Sequence, residues 1–237
     1  MIDHRFVGFI CKKVNFKDND AICSVITPLK KEVFKARGIL KVTSKNAPSC
    51  NYFMICEFLT NSKTETSNQT LKSASIVKIY KKPYEDLLVS ASYLLMCSLL
   101  DQTSDIINGY DLTIKCFDYL EQGIYPIDVL NFFLKNLCNS LGYQSNLKGC
   151  VGCNKPTNLI SFNFESGGFV CNECFDSAMH EKLPTNFLKG IHTLLKEDEL
   201  VELPIQQSIK LFKMYVVFLK ETAQISTESA NFVLKCI

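Results

Sequence analysis

Two cysteine pairs constrain this chain more than any other feature: Cys150-Val151-Gly152-Cys153 and Cys171-Asn172-Glu173-Cys174, with 17 residues between them. A Cys-x2-Cys pair wraps one side of a tetrahedral metal, and a second pair carried across a hairpin closes the site. The intervening segment supplies that hairpin. Residues 159–164 alternate like a strand, Glu165-Ser166-Gly167-Gly168 reads as a turn, and Phe169-Val170 leads back to the third cysteine. Gly149 and Gly152 give the first pair the backbone freedom of a metal knuckle. Four thiolates leave no open coordination position, so the expected ion is one structural Zn2+ held in a ribbon spanning about residues 147–177. A site of this kind contributes on the order of 10 kcal/mol of apparent binding free energy, enough to decide whether so short an insert folds. The rival chemistry, thiol–disulfide exchange, needs a low-pKa cysteine at a helix N-terminus, and the Gly152-Cys153-Asn154-Lys155-Pro156 stretch starts a helix poorly. Whether the ribbon touches nucleic acid or protein, or only holds the fold, is not decided by the spacing.

The remaining eight cysteines (Cys11, Cys23, Cys50, Cys56, Cys97, Cys116, Cys138 and Cys236) are scattered singly through apolar stretches and read as reduced core residues. No run approaches the roughly 18–20 apolar residues of a membrane span. The first residues lack a charged region followed by an apolar one, so a cytoplasmic protein without a secretory signal is expected.

Before residue 80 the pattern is β. Strands are expected at residues 5–11, 21–27, 32–41, 52–59 and 71–80, with a turn at Asp18-Asn19-Asp20 and polar loops at 43–49 and 61–70. In the third, Phe34, Ala36 and Leu40 face one way, and Val33, Lys35, Arg37, Ile39 and Lys41 the other. Five short strands in about 80 residues fit a small closed β-barrel. Lys81-Lys82-Pro83 marks a boundary, after which the period turns helical at about 84–99, 111–122, 126–141, 184–195 and 205–221. The expected domains are therefore a β domain at 1–80 and a helical domain at 81–237 that carries the ribbon.

Charge separates the same two parts. Residues 1–79 hold 13 Lys and Arg against 6 Asp and Glu, a net of +7, and residues 80–237 hold 13 against 18, a net of −5. A basic front end points to a polyanion. The candidate contacts are Lys12, Lys13, Lys30, Lys31, Lys35, Arg37, Lys41 and Lys45, with Phe6, Phe9, Phe16 and Tyr52 as candidate stacking rings. Such contacts are mainly to phosphates and so salt-dependent. No catalytic constellation accompanies them: His4, His180 and His192 read as ordinary residues, Glu197-Asp198-Glu199 as a solvated loop, and no phosphate-binding or nucleophile motif is present. The expectation is a non-enzyme.

The stretches Gly142-Tyr143-Gln144-Ser145-Asn146-Leu147-Lys148-Gly149-Cys150-Val151-Gly152-Cys153, Ile160-Ser161-Phe162 and Gly167-Gly168-Phe169-Val170-Cys171-Asn172-Glu173-Cys174 resemble the zinc-finger segment of the bacterial recombination mediator RecO family. Gly8-Phe9-Ile10, Asp18-Asn19-Asp20, Val25-Ile26-Thr27, Phe34-Lys35-Ala36-Arg37-Gly38, Glu57-Phe58 and Tyr84-Glu85-Asp86-Leu87 fall in that family's order, so the resemblance spans about residues 5–200. It implies an α+β protein: an N-terminal OB-fold β-barrel followed by an α-helical domain with an inserted four-cysteine zinc ribbon, whose ligands are Cys150, Cys153, Cys171 and Cys174. It implies binding of single- and double-stranded DNA, annealing of complementary strands, and action with RecR. Contact with single-strand-binding protein, loading of RecA on coated DNA, and a nucleoid-associated place in the cytoplasm are implied as well. The chain departs from the family in basic density. Residues 39–45 are sparser than the corresponding stretch, and only Arg5 and Arg37 are arginines. Lysine cannot clamp phosphate with arginine's fork. The alternative reading is a zinc-ribbon adaptor that binds proteins and not DNA.

Overall fold

The computed structural model describes residues 1–64, 67–103 and 108–237. Residues 65–66 of the polar loop expected at 61–70 lie outside the described residues. Five strands, β1 (Ile2–Phe16), β2 (Asp20–Ile26), β3 (Lys31–Ala36), β4 (Met54–Ser62) and β5 (Gln69–Ile79), close into a barrel in the order β1-β2-β3-β5-β4. Every ladder is antiparallel except the short β3–β5 closure, where Phe34 faces Gln69 and Lys35 faces Thr70. This is the OB-fold.

β1 serves two neighbours. Its first half pairs with β4, from Ile2↔Ser62 to Phe9↔Ile55, and its second half with β2, from Phe9↔Ile26 to Phe16↔Asp20. Gly8 stands where the chains cross. A Cβ there would lie 2.3 Å from the Ile26 carbonyl oxygen, so only glycine lets the strands approach. The barrel interior is filled by Ile10, Cys23, Val25, Phe34, Cys56 and Phe58, with the Phe34 and Phe58 rings 5.3 Å apart. Seven of the eight scattered cysteines are buried thiols, and Cys236 is half-buried.

β3 is shorter than its alternation predicts. The chain leaves the sheet after Ala36 into a turn with Gly38 at φ 63°. The Gly38 N–H donates to Asp20 Oδ1 at 2.8 Å, and the Leu40 N–H to the Asn19 carbonyl at 3.0 Å. Ile39 is therefore buried and Leu40 turned outward, the reverse of the expected faces, and Arg37 and Lys41 do not continue the strand face of Lys35.

Helices follow: α1 (Lys82–Glu85), α2 (Leu87–Gln102), α3 (Gly109–Glu121), α4 (Pro126–Ser140), α5 (Thr185–Lys196), α6 (Ile205–Glu221) and α7 (Glu228–Cys236), with the hairpin β6 (Leu159–Asn163) and β7 (Gly168–Cys171) between α4 and α5. The Tyr84-Glu85-Asp86-Leu87 motif does not open one continuous helix. Asp86 is extended, and its carboxylate accepts from the N–H groups of Leu88 and Val89, capping α2 afresh. α2 is apolar on nearly every side, as a helix enclosed by neighbours must be: it packs against β1, α3 and α7. Among the described residues no helix is long and apolar enough to cross a membrane.

Packing divides the chain into two compact units, residues 1–123 with 228–237, and residues 124–227. The change from strand to helix near residue 80 is a boundary of secondary structure; the break at 123 is one of packing. In the second unit α4 is central. Asp128 accepts from the Ser208 hydroxyl at 2.5 Å and the Leu203 N–H at 3.3 Å, Asn131 donates to the Ser208 carbonyl at 3.0 Å, and Lys135 donates to the Glu197 carbonyl. These buried polar pairs fix α4 against the start of α6 and the segment before it.

Candidate metal centre and nucleic-acid groove

The four ribbon cysteines converge. Their sulfur atoms all lie within 4.8 Å of one another, and Cys153 and Cys171 approach to 3.6 Å. A tetrahedral Zn2+ with bonds of about 2.3 Å needs sulfurs about 3.8 Å apart, so the donor set fits such an ion in number, type and spacing. The β6–β7 ladder, with Leu159 opposite Cys171 and Phe162 opposite Phe169, brings the second knuckle to the first. The first knuckle is closed by its backbone: the Cys150 N–H donates to the Lys155 carbonyl at 2.9 Å and the Asn154 N–H to the Cys150 carbonyl at 2.8 Å. Its glycines answer to space. A Cβ on Gly152 would meet Cys174 Sγ at 3.0 Å, and one on Gly149 the Asn154 carbonyl oxygen at 2.7 Å. Neither glycine has positive φ, so the expected need for backbone freedom gives way to close approach.

Electrostatics prepare the site for a cation. Burial alone would raise the Cys150 thiol, but the N–H groups of Cys171 and Gly152, 3.3 and 3.4 Å from its sulfur, outweigh it and bring the pKa down to about 6. Cys174, hydrogen-bonded to the Cys153 and Cys150 sulfurs, is pushed up to about 12. One thiolate is favoured and further ones repel it until a dication supplies the opposite charge. Cys150 and Cys171 are buried, whereas Cys153 and Cys174 reach the surface in part.

The basic residues of the barrel separate into groups. A groove of about 800 Å3 runs over β2, β3 and the β4–β5 connection, and among the described residues its lining includes Phe16, Lys35, Arg37, Lys63 and Lys72 and no carboxylate, with Lys72 paired to Asp3 at 2.9 Å. Phe16 is 38% exposed, with Lys35 Nζ 4.6 Å and Lys17 Nζ 5.7 Å from its ring centre. Asp20 positions this edge. It receives the Gly38 N–H and pairs with Lys35 at 2.9 Å, and those two bonds, in that order, hold its carboxyl below the ordinary range. Of the eight candidate basic residues only Lys35 and Arg37 line the groove. Lys12 and Lys31 both meet Asp101 at the end of α2, where Lys31 also donates to the Asp101 carbonyl at 2.8 Å. Lys13 donates to the Cys50 carbonyl at 2.9 Å, and Lys30 pairs with Glu32 at 3.1 Å. Lys41 and Lys45 are exposed on the segment between β3 and β4.

Among the candidate rings Phe16 alone lines the groove. Phe9 is buried against Phe117 at 5.2 Å, Phe6 packs on Phe58 at 5.7 Å, and the Tyr52 hydroxyl accepts from the Lys13 N–H at 3.1 Å. Sequence reasoning missed Lys63 and Lys72 as groove residues, because the pairing of β5 with both β3 and β4 brings them beside Lys35. The histidines have ordinary partners: His4 meets the Ser62 hydroxyl at 2.8 Å, His180 accepts the Asp176 N–H at 3.1 Å, and His192 lies beside the Phe169 ring.

The family model described as "Recombination protein O C terminal" matches residues 84–220. The DNA repair protein RecO of Bacillus pumilus is 23% identical over 183 residues, covering 75% of this chain and 70% of that protein. The proteins of the same name from Syntrophomonas wolfei and Leuconostoc mesenteroides are 25% and 27% identical over 177 and 175 residues. Those matches cover 72% and 71% of this chain, and 69% and 68% of the relatives.

Proposed function

The chain belongs to the recombination protein O family, and from that premise we propose that it is a non-enzymatic mediator of recombinational DNA repair that binds single- and double-stranded DNA through the groove of its barrel. A role in DNA repair and recombination is the coarse reading that its relatives' names carry. The observation that supports direct DNA contact is the groove lining: Lys35, Arg37, Lys63 and Lys72 with an exposed Phe16 ring and, among the described residues, no carboxylate in the lining itself. A cationic trough with one stacking platform tracks a phosphate backbone and tolerates any base. Neutralising two strands in this way lowers their mutual repulsion, so annealing of complementary strands belongs to the same reading. Action with RecR, contact with single-strand-binding protein and help in loading RecA complete the mediator role.

Cys150, Cys153, Cys171 and Cys174 would hold the metal, for which Zn2+ is the fitting ion. When bound it supplies cohesion to the ribbon and no open position for a reacting group. The proposal is tested by binding of a labelled single-stranded oligonucleotide across a salt series, with strand annealing followed in the same buffer. If the four groove cations each neutralise one phosphate, log K falls against log salt with a slope of about −3, and annealing is accelerated. Absence of binding at low salt would replace this reading by the protein-binding adaptor.

A further inference from the structure

A second cleft differs from the barrel groove in size and in sign. It holds about 200 Å3 and lies within the second compact unit, between β6, the segment 179–183 and the C-terminal half of α6. Its apolar lining includes Phe164, Met179 and Val217, and among the described residues its charged lining is Glu165, Glu181 and Glu221, with no lysine or arginine. Glu181 is paired with Lys210 at 2.6 Å, while Glu165 and Glu221 form no salt bridge among the described residues. Met179 and Val217 are 62% and 52% exposed, so apolar surface stands open inside an acidic rim. Glu221 is the last residue of α6. A carboxylate there faces the negative end of the helix dipole, which stability alone disfavours.

We propose that this cleft docks a segment of a partner protein that inserts one apolar side chain between flanking Lys or Arg residues. The size argues for a single anchor, since the volume falls below the roughly 300–1,000 Å3 of small-molecule sites. The sign argues for the flanking cations: the carboxylates of Glu165 and Glu221, which Lys210 does not balance, repel a nucleic-acid backbone or an acidic tail and attract a basic segment. Methionine adapts its shape to an incoming side chain, which suits a site for one anchor. This inference does not depend on DNA binding by the barrel.

The test uses the full chain, metal-loaded, with a phage-displayed library of random peptides as the probe. Selections are run in parallel against the unaltered protein, Val217→Asp and Glu221→Lys. Both altered side chains are exposed and the second change favours the helix dipole, so melting and metal content should hold. The expected result is enrichment of peptides that place Lys or Arg beside a bulky apolar residue. Their affinity should fall at least tenfold on Val217→Asp and on Glu221→Lys, with oligonucleotide binding unchanged. Enrichment of acidic peptides, enrichment that both variants retain, or no enrichment would overturn the proposal. So would self-association in sedimentation that Val217→Asp abolishes, because a second copy of the chain would then be the occupant.

Discussion

Gly152 has no side chain because Cys174 needs the space, and that one contact shows how the ribbon is specified residue by residue. The Cys-x2-Cys spacing was legible because it is local: two knuckles and a hairpin are written within 25 residues, from Cys150 to Cys174. The reason for each glycine was not, because it depends on the sulfur of the opposite knuckle. Cys171→Ser should therefore lower bound zinc and thermal stability together, by on the order of several kcal/mol, with metal measured by emission spectrometry and unfolding by circular dichroism. Normal metal content with normal melting would show a different ligand set. Asp128 offers a prediction of the opposite kind. Burial raises its carboxyl above the ordinary 3.8, against the lowering effect of the Ser208 hydroxyl and the Leu203 N–H. In the window between 3.8 and the raised value the folded chain holds a proton that the unfolded chain has released, so this group's contribution falls as pH rises through it. Asp128→Asn keeps an acceptor oxygen and loses the titration. Its melting temperature relative to the parent should climb as pH rises above about 4 and level off once the buried carboxyl has ionised, and a flat difference would rule out this account.

At the scale of elements, the helices with a clear apolar face were placed from sequence to within about two residues, because a 3.6-residue period over three or more turns has few rivals. α7 escaped notice: it has nine residues and buries only Ala230 and Val233, too few positions to define a period. β3 was overextended because alternation continues in the sequence past Ala36, whereas the backbone is turned by Gly38 and held by Asp20. That hold is tertiary, coming from the first residue of β2. The restart of the chain at Asp86 is an element-scale device that can be tested. Its side chain is the N-cap of α2, which packs against the barrel, so Asp86→Ala should cost about 1 kcal/mol by urea unfolding, and Asp86→Ser less. Gly8→Ala is a harsher change. Its Cβ would press on Ile26 backbone and the Val25 side chain, for a loss of about 1–3 kcal/mol or more. If Gly8→Ala melts like the parent, the crossing of β1 over β2 is looser than the contacts imply.

For the whole molecule, the excess of +7 in the first 79 residues was readable by counting, but its partition was not. Folding commits Lys12 and Lys31 to Asp101 and places Arg37 and Lys35, the latter paired with Asp20, in a trough, joined there by Lys63 and by Lys72, which pairs with Asp3. Counting also hid the concentration of negative charge around a second cleft, where Lys210 balances Glu181 alone. The distribution of charge, more than its sum, therefore decides where a polyanion can lie. Lys35→Glu with Arg37→Glu reverses two groove cations and sets a carboxylate beside Phe16. It should weaken oligonucleotide binding far more than Lys210→Glu with Lys213→Glu, although both pairs change net charge by the same amount. The groove pair should also flatten the salt dependence by more than one unit of slope, because two phosphate contacts of about 0.7 each are removed. Equal weakening by the two pairs would mean that DNA senses only the net charge of the chain, and the groove would then lose its claim to be the binding surface.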